Sequence, residues 1–229
     1  RSLVGSEMCI RDRINVYGTL IVDRIGILGQ GPKNIYNIDG ATINSNYFGV
    51  YQNGSYGECT ININDSTIVD TLGGGVYVSN NSSTTGQQTL NITNSSITGP
   101  TAVEVKYTDV TIENSTLKAT AEPPETTLNN NGMSSTGYAF AATHNGKDSA
   151  DHAKGTIKIV SGNFEGLIGH QRPTGGMEDN ALVMTIEKGL FSSDPSEYCV
   201  KDKTGVANDD SATNKEYPWT VGEAKATAA

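Results

Sequence analysis

The sequence predicts an all-β fold, a parallel β-solenoid of about six to seven coils with a capping hairpin at its C-terminal end. Three observations favour this fold. A short pattern recurs along the chain, apolar and polar residues alternate within each copy, and residues that favour turns follow each alternating run. Such a repeat cannot bury its apolar face alone, so neighbouring copies are expected to stack.

Each copy reads apolar, polar, Ile, a two-residue turn, Ser or Thr, and a second apolar residue. The alternation has the two-residue period of a half-buried strand and not the 3.6-residue period of a helix. Asp65, Asn94 and Asn114 occupy the turn, where such residues tolerate left-handed backbone and are expected to bond along the stack. The copies are Tyr36–Ile43, Ile61–Ile68, Leu90–Ile97, Val110–Leu117, Ile157–Phe164 and Met184–Phe191, with a weak first copy at Ile14–Ile21.

A second strand is predicted in each copy after a variable loop. Two strands per copy would form one coil, and each would pair in parallel with the coils before and after it, at the usual separation of about 4.8 Å. These second strands are Phe48–Tyr51, Gly75–Val78, Ala102–Val105, Ala139–Ala142 and Gly166–Gly169.

The repeat resembles the right-handed parallel β-helices of the pectin-lyase-like type over roughly residues 14 to 192. A second resemblance lies at the end of the chain, where Ile186–Tyr198 leads to Tyr217–Val221. This stretch is similar to a terminal module of secreted surface proteins from Gram-positive gut-type bacteria, in which a hairpin closes the last β-helix strand. Here Lys188-Gly189-Leu190 stands where Gly-Gly-Thr is usual. The resemblance implies an extracellular, cell-surface location.

One elongated domain is expected. The β-helix spans 14–192 with a loop insertion at about 120–136, the cap spans 193–221 with Tyr198 and Trp219 as covers, and 222–229 is a tail or linker into a further module. Residues 1–13 share no composition with the rest and resemble a translated sequencing adapter. We therefore exclude them from the fold and expect the chain to be part of a longer, multi-module protein.

Charge and composition argue against several partners and cofactors. The net charge of −9 disfavours nucleic acid, which requires clustered Lys and Arg. No apolar run approaches the length of about 20 residues that a membrane span needs, so no membrane insertion is expected. Three cysteines without motif spacing do not predict a disulfide framework. We predict no cofactor and no metal site, since His144, His152 and His170 are far apart in sequence.

The resemblance raises polysaccharide cleavage as an activity. Lyases of this type use an Arg base with acidic calcium ligands, and hydrolases use converging Asp residues with a Gly-His-Gly and an Arg-x-Lys. Here Asp151-His152 has no Arg neighbour, and the stretch Gly169–Arg172 has no adjacent Asp pair. We therefore predict no catalytic residue and no enzyme. The alternative is a fragment of a polysaccharide lyase or hydrolase, or of a phage tailspike-like depolymerase, whose catalytic coils are missing.

One surface column is a candidate ligand site. If Val50, Val76 and Val103 point inward, then the next residues, Tyr51, Tyr77 and Glu104, point outward on successive coils. Exposed tyrosines beside a carboxylate suit glycan contact, although the same column could be a structural ladder covered by the insertion. The function predicted is a non-catalytic cell-surface stalk or adhesin-like module whose possible partners are glycans or other surface ligands.

Overall fold

The computed structural model describes residues 13–29, 33–54, 58–80, 87–123, 133, 135–143, 155–171 and 182–224. Most of the adapter-like segment, most of the 120–136 insertion and the end of the tail lie outside these residues. Arg13 begins the first strand described.

The described elements are almost all strands. A short 3-10 helix lies at Ser196–Tyr198. In chain order the strands are β1 (Arg13–Ile21), β2 (Ile25–Gly29), β3 (Asn34–Ser45), β4 (Phe48–Gly54), β5 (Cys59–Asn64), β6 (Thr67–Asp70), β7 (Gly74–Asn80), β8 (Gln88–Thr93), β9 (Ser96–Gly99), β10 (Val103–Lys106), β11 (Thr108–Glu113), β12 (Ser115–Ala119), β13 (Tyr138–Thr143), β14 (Gly155–Ile159), β15 (Gly162–Glu165), β16 (Leu167–Gln171), β17 (Leu182–Ile186), β18 (Leu190–Phe191), β19 (Lys203–Ala207) and β20 (Trp219–Glu223).

Three strands form a full coil, and not the two that the sequence predicts. We call the three sides of the solenoid the first, second and third faces, represented by β5, β6 and β7 in one coil. Each sequence repeat spans the first face, a corner and the second face. Second-face strands such as β6 and β9 contain only four residues, so their alternation is too short to be recognised as a separate strand.

Parallel pairing joins the coils, which confirms a parallel β-helix. The third face is a six-stranded sheet with the order β16-β13-β10-β7-β4-β2. The first and second faces belong to one sheet, because β3 continues around the corner and pairs with both β5 and β6. The solenoid makes about five turns, fewer than the six to seven coils predicted.

Apolar columns fill the interior. The central Ile of the repeat stacks in register on the first face, and every member of this column is fully buried. Burial of aliphatic side chains in such columns supplies most of the stability of a solenoid. The column on the first face is Ile38, Ile63, Ile92, Ile112, Ile159 and Ile186, and the column on the second face is Ile43, Ile68, Ile97, Leu117, Phe164 and Phe191.

The predicted corner has the expected backbone. Asp65, Asn94 and Asn114 have φ of 46°, 51° and 46°, in the left-handed region. The Asn114 side-chain amide donates to Asn94 Oδ1 at 2.8 Å, so part of the predicted polar ladder is present. Beneath this corner, a buried serine column also links the coils, since the Ser66 amide donates to Ser95 Oγ, and the Ser95 amide to Ser115 Oγ, at 3.1 Å each.

The corner predicts a specific response to substitution at Asp65. We expect Asp65→Val to lower the free energy of unfolding by about 1–2 kcal/mol, because left-handed backbone is tolerated by Asp, whose short polar side chain can bond locally, but is strained for a β-branched residue. Asp65→Gly removes Cβ and should leave stability within about 0.5 kcal/mol. Urea unfolding followed by circular dichroism measures both. Thr67→Val, at an exposed position two residues later on β6, is the control, and an equal loss in all three variants would contradict the corner argument.

The C-terminal end is closed by a hairpin, as predicted. Strands β19 and β20 pair antiparallel, and β20 also pairs antiparallel with β18. Tyr198 and Trp219, the two predicted covers, are partly buried against the core. Within the described ranges, no helix is long and apolar enough to cross a membrane.

Candidate functional site

The predicted tyrosine column is present on the third face, where its residues pair with one another on successive strands. Val50, Val76 and Val103 are fully buried inside the coil. The residues that follow them therefore lie on the outer side of the sheet, one on each successive strand. In order from the N-terminal end, this tyrosine column is Leu28, Tyr51, Tyr77, Glu104, Ala141 and Gly169.

Much of the tyrosine column is buried, which corrects the exposure expected of it. Tyr77 is 2% exposed and Glu104 is 0% exposed, while Tyr51 is partly exposed. The Tyr51 and Tyr77 rings stack with centroids 5.1 Å apart, so Tyr51 covers one side of Tyr77. Burial raises the pKa of both phenols, most strongly that of Tyr77.

The described part of the insertion covers the column. Met133 lies directly against Gly74 at the start of β7. The Ser135 amide and hydroxyl donate to Glu104 Oε2 at 2.8 and 2.6 Å, and Thr101 Oγ1 donates to the Ser135 carbonyl at 2.8 Å. Strand periodicity assigns a side chain to the outside of the coil, but it does not show whether another segment packs over it. The sequence therefore left open whether the column is an exposed ligand face or a ladder covered by the insertion, and the bonds from Ser135 to Glu104 match the second alternative.

A buried ion pair lies at the centre of this covered surface. Lys106 Nζ is 3.8 Å from Glu104 Oε1, and both side chains are 0% exposed. Thr143 Oγ1 donates to the same carboxylate oxygen at 3.1 Å, and Lys106 Nζ lies 5.8 Å from the centroid of the Tyr77 ring. Desolvation lowers the pKa of Lys106, against the opposing effect of the Glu104 charge. We call Glu104, Lys106, Ser135 and Thr143 the buried clamp.

The buried clamp was missed by sequence reasoning, although one signal for it was present. Lys106 follows Glu104 by two residues on the same strand, so the two side chains must share one side of the sheet. Ser135 follows the aperiodic insertion, and no spacing connects it to Glu104. The clamp holds the end of the insertion against the third face, and the charged atoms of Glu104 and Lys106 do not contact solvent.

The exposed part of the third face is aromatic and lies nearer the N-terminal end. The Tyr47 side chain is 46% exposed, packs edge-on against Phe48 with centroids 4.6 Å apart, and has the Arg24 guanidinium 5.9 Å from its centroid. The Phe48 and Tyr51 rings lie 4.8 Å apart. We call Tyr47, Phe48 and Tyr51 the aromatic platform. Within it, Tyr51 is the predicted site residue that retains contact with solvent, and Tyr47 and Phe48 were not among the predicted site residues.

The described residues contain no group of three or more His, Cys, Asp or Glu side chains that could hold a metal ion. His170, one of the three histidines considered, packs edge-on against Tyr198 with ring centroids 5.4 Å apart, and its backbone amide donates to the Tyr198 hydroxyl at 3.1 Å. His144 and His152 lie outside the described residues.

No protein-family model, curated protein or solved structure matches this chain.

Proposed function

We propose that this chain is a non-catalytic module of an extracellular, cell-surface protein, a pectin-lyase-like β-helix that acts as a stalk or adhesin-like rod and contacts glycans. The bacterial, Gram-positive setting is part of the same proposal and rests on the sequence resemblance of the C-terminal stretch. The single observation that carries the proposal is the hydrogen bonding between successive coils of the solenoid, through the paired strands and through side chains.

This bonding occurs on the surface as well as in the core. On the first face, the side-chain amides of Asn37, Asn62 and Asn91 each donate to the Asn of the preceding coil at 2.9 Å, beginning at Asn15. We call this row the asparagine ladder. Side-chain ladders of this kind stiffen stacked strands, and stiffness along one axis is what a stalk requires.

The aromatic platform supports the glycan part of the proposal. Tyr47 is 46% exposed and lies beside Arg24. Its ring packs on Phe48, and Phe48 in turn packs on Tyr51. Leu28, 47% exposed and paired with Tyr51 in the tyrosine column, adds an apolar neighbour. An apolar ring with a polar hydroxyl edge suits a sugar, which also has apolar and polar sides.

A glycan array tests the proposal with the full chain. We expect binding to at least one glycan, and we expect Tyr47→Ala/Tyr51→Ala to weaken it about tenfold or more, since each aromatic contact contributes about 0.5–1.5 kcal/mol. Tyr17→Ala is the matched control, because Tyr17 is 66% exposed but lies on β1, away from the platform. Its binding should equal that of the original chain.

Three outcomes would contradict the proposal. Release of unsaturated or reducing sugar from the same polysaccharides would overturn the non-catalytic assignment and favour the enzyme-fragment alternative. Absence of binding to every glycan would remove glycan recognition. Equal loss in the platform variant and in the Tyr17 control would show that the platform is not the contact.

A further inference from the structure

A polar groove opens on the second face near the C-terminal end of the solenoid, away from the aromatic platform. Its volume is about 320 Å³, within the range of sites that hold small molecules. It lies between β12, β15, β18 and β20, and the lining residues that matter to the argument are Asn114, Thr116, Gly162, Asn163, Gly189 and Thr220.

Beside the groove, the corner column changes from serine to glycine. Ser66, Ser95 and Ser115 occupy this column in earlier coils, and Gly162 pairs with Ser115 in the next one. Gly162 and Gly189 have φ of 153° and 149°, a region that favours glycine. A Cβ on Gly189 would lie 2.8 Å from the Gly162 carbonyl oxygen. The backbone and the neighbouring rings therefore leave no room for a side chain at either position, which fixes both as glycine at the edge of the groove.

Two polar side chains at the groove have hydrogen-bonding capacity to spare. Thr116 and Asn163 pair in register on β12 and β15, and neither side chain has a hydrogen-bond partner among the residues that the structure describes. Two other lining groups are already engaged: Thr220 Oγ1 donates to the Gly189 carbonyl at 2.9 Å, and the Asn114 amide donates to Asn94. The free hydroxyl and amide can both donate and accept.

The charges around the groove favour an uncharged ligand. Every side chain that lines it is neutral. On the same two strands, the charged residues Lys118 and Glu165 bond to each other at 2.7 Å. A neutral lining of hydroxyl and amide groups matches a compound that offers several hydroxyls and no charge.

We propose that this groove is a binding subsite for an uncharged polyhydroxyl compound, a single neutral sugar ring, held by Thr116 and Asn163. The inference deepens the proposed glycan recognition and rests on it for the biological ligand, but the site and its residues are separate from the aromatic platform. With few apolar contacts, binding is expected to be weak, with a dissociation constant of about a millimolar.

Amide chemical-shift mapping by NMR tests the subsite on the full, isotope-labelled chain. The probes are methyl β-D-glucopyranoside, methyl α-D-mannopyranoside and N-acetyl-D-glucosamine, with D-glucuronate as the charged comparison. We expect at least one neutral probe to shift the amides of Thr116, Asn163 and Thr220. Thr116→Val/Asn163→Ala should abolish these shifts. Thr42→Val is the matched control, because Thr42 belongs to the same outward column on β3, outside the groove, and it should preserve the shifts.

The outcomes separate the subsite from the proposed function. Shifts confined to Tyr47 and Tyr51 would overturn the subsite and leave glycan recognition by the platform intact. Shifts at the groove that survive Tyr47→Ala/Tyr51→Ala would support the subsite even if the glycan array shows no role for the platform. Tighter binding of glucuronate than of every neutral probe, or no shift at the groove with any probe, would overturn the proposal. Spectra of the free variants show whether each one folds.

Discussion

We expect Glu104→Leu to lower the free energy of unfolding by about 3–5 kcal/mol, the loss typical of a buried ion pair that loses one partner. The substitution keeps the approximate volume of the side chain but leaves the Lys106 ammonium without its buried carboxylate. It also removes the acceptor of the Ser135 amide, the Ser135 hydroxyl and the Thr143 hydroxyl. Urea unfolding monitored by circular dichroism measures the loss, and limited proteolysis would report release of the segment that ends at Ser135.

Two further variants show whether the loss comes from the charge pair. Glu104→Leu/Lys106→Met removes both charges and should recover at least about 1 kcal/mol relative to the single variant, because no ammonium is then stranded in the interior. Glu165→Leu breaks the pair with Lys118, in which the Lys118 side chain is 44% exposed and the Glu165 side chain 29% exposed. This variant should lower the free energy of unfolding by less than about 1 kcal/mol. If Glu165→Leu is as damaging as Glu104→Leu, or if the double variant recovers nothing, burial of the pair is not the cause.

The second large effect is expected from Phe164→Ala, with a loss of about 3–5 kcal/mol. Phe164 is fully buried on the second face, and its ring stacks on that of Phe191 with centroids 4.9 Å apart and planes 7° apart. Phe191 in turn pairs with Trp219 of the capping hairpin. Truncation at Phe164 would therefore leave a cavity between Leu117 and Phe191 and remove the ring on which Phe191, next to the cap, is stacked.

The location of the damage distinguishes this prediction from a general loss of stability. In a solenoid each coil contacts only its neighbours, so hydrogen exchange should accelerate first in β15, β18 and β20 and last in β3 and β5. Phe164→Leu keeps most of the volume and should lose less than about 1.5 kcal/mol. Uniform loss of protection along the whole rod, or an equal effect of Leu and Ala, would contradict the argument.

The interior and the corners could be predicted from the sequence because both are encoded locally. The isoleucine of each repeat lies in the buried column, and Asp65, Asn94 and Asn114 have the left-handed backbone that their side chains favour. The cap was also recognisable, since an exposed strand edge requires cover and Trp219 follows a turn-rich loop. In each case the pattern lies within a few consecutive residues.

The outer side of the third face could not be predicted in the same way. Tyr77 and Glu104 have the outward phase of an exposed strand, yet both are buried. Tyr51 stacks on Tyr77, and Ser135, 31 positions beyond Glu104, bonds to the Glu104 carboxylate. The polar groove is equally hidden in the sequence. Gly162 and Gly189 look like ordinary turn residues, and only the stacking of their coils brings them together at the groove.

The asparagine ladder keeps the coils aligned even though the loops between them differ in length. Asn15, Asn37, Asn62 and Asn91 are 22, 25 and 29 residues apart, yet each amide bond has the same length of 2.9 Å. A slip of one residue would turn each Asn toward the core and break its bonds, so the ladder penalises misaligned coils directly. The loops are therefore free to gain or lose residues during evolution, and new surface features can be added to this rod without disturbing the register that supports them.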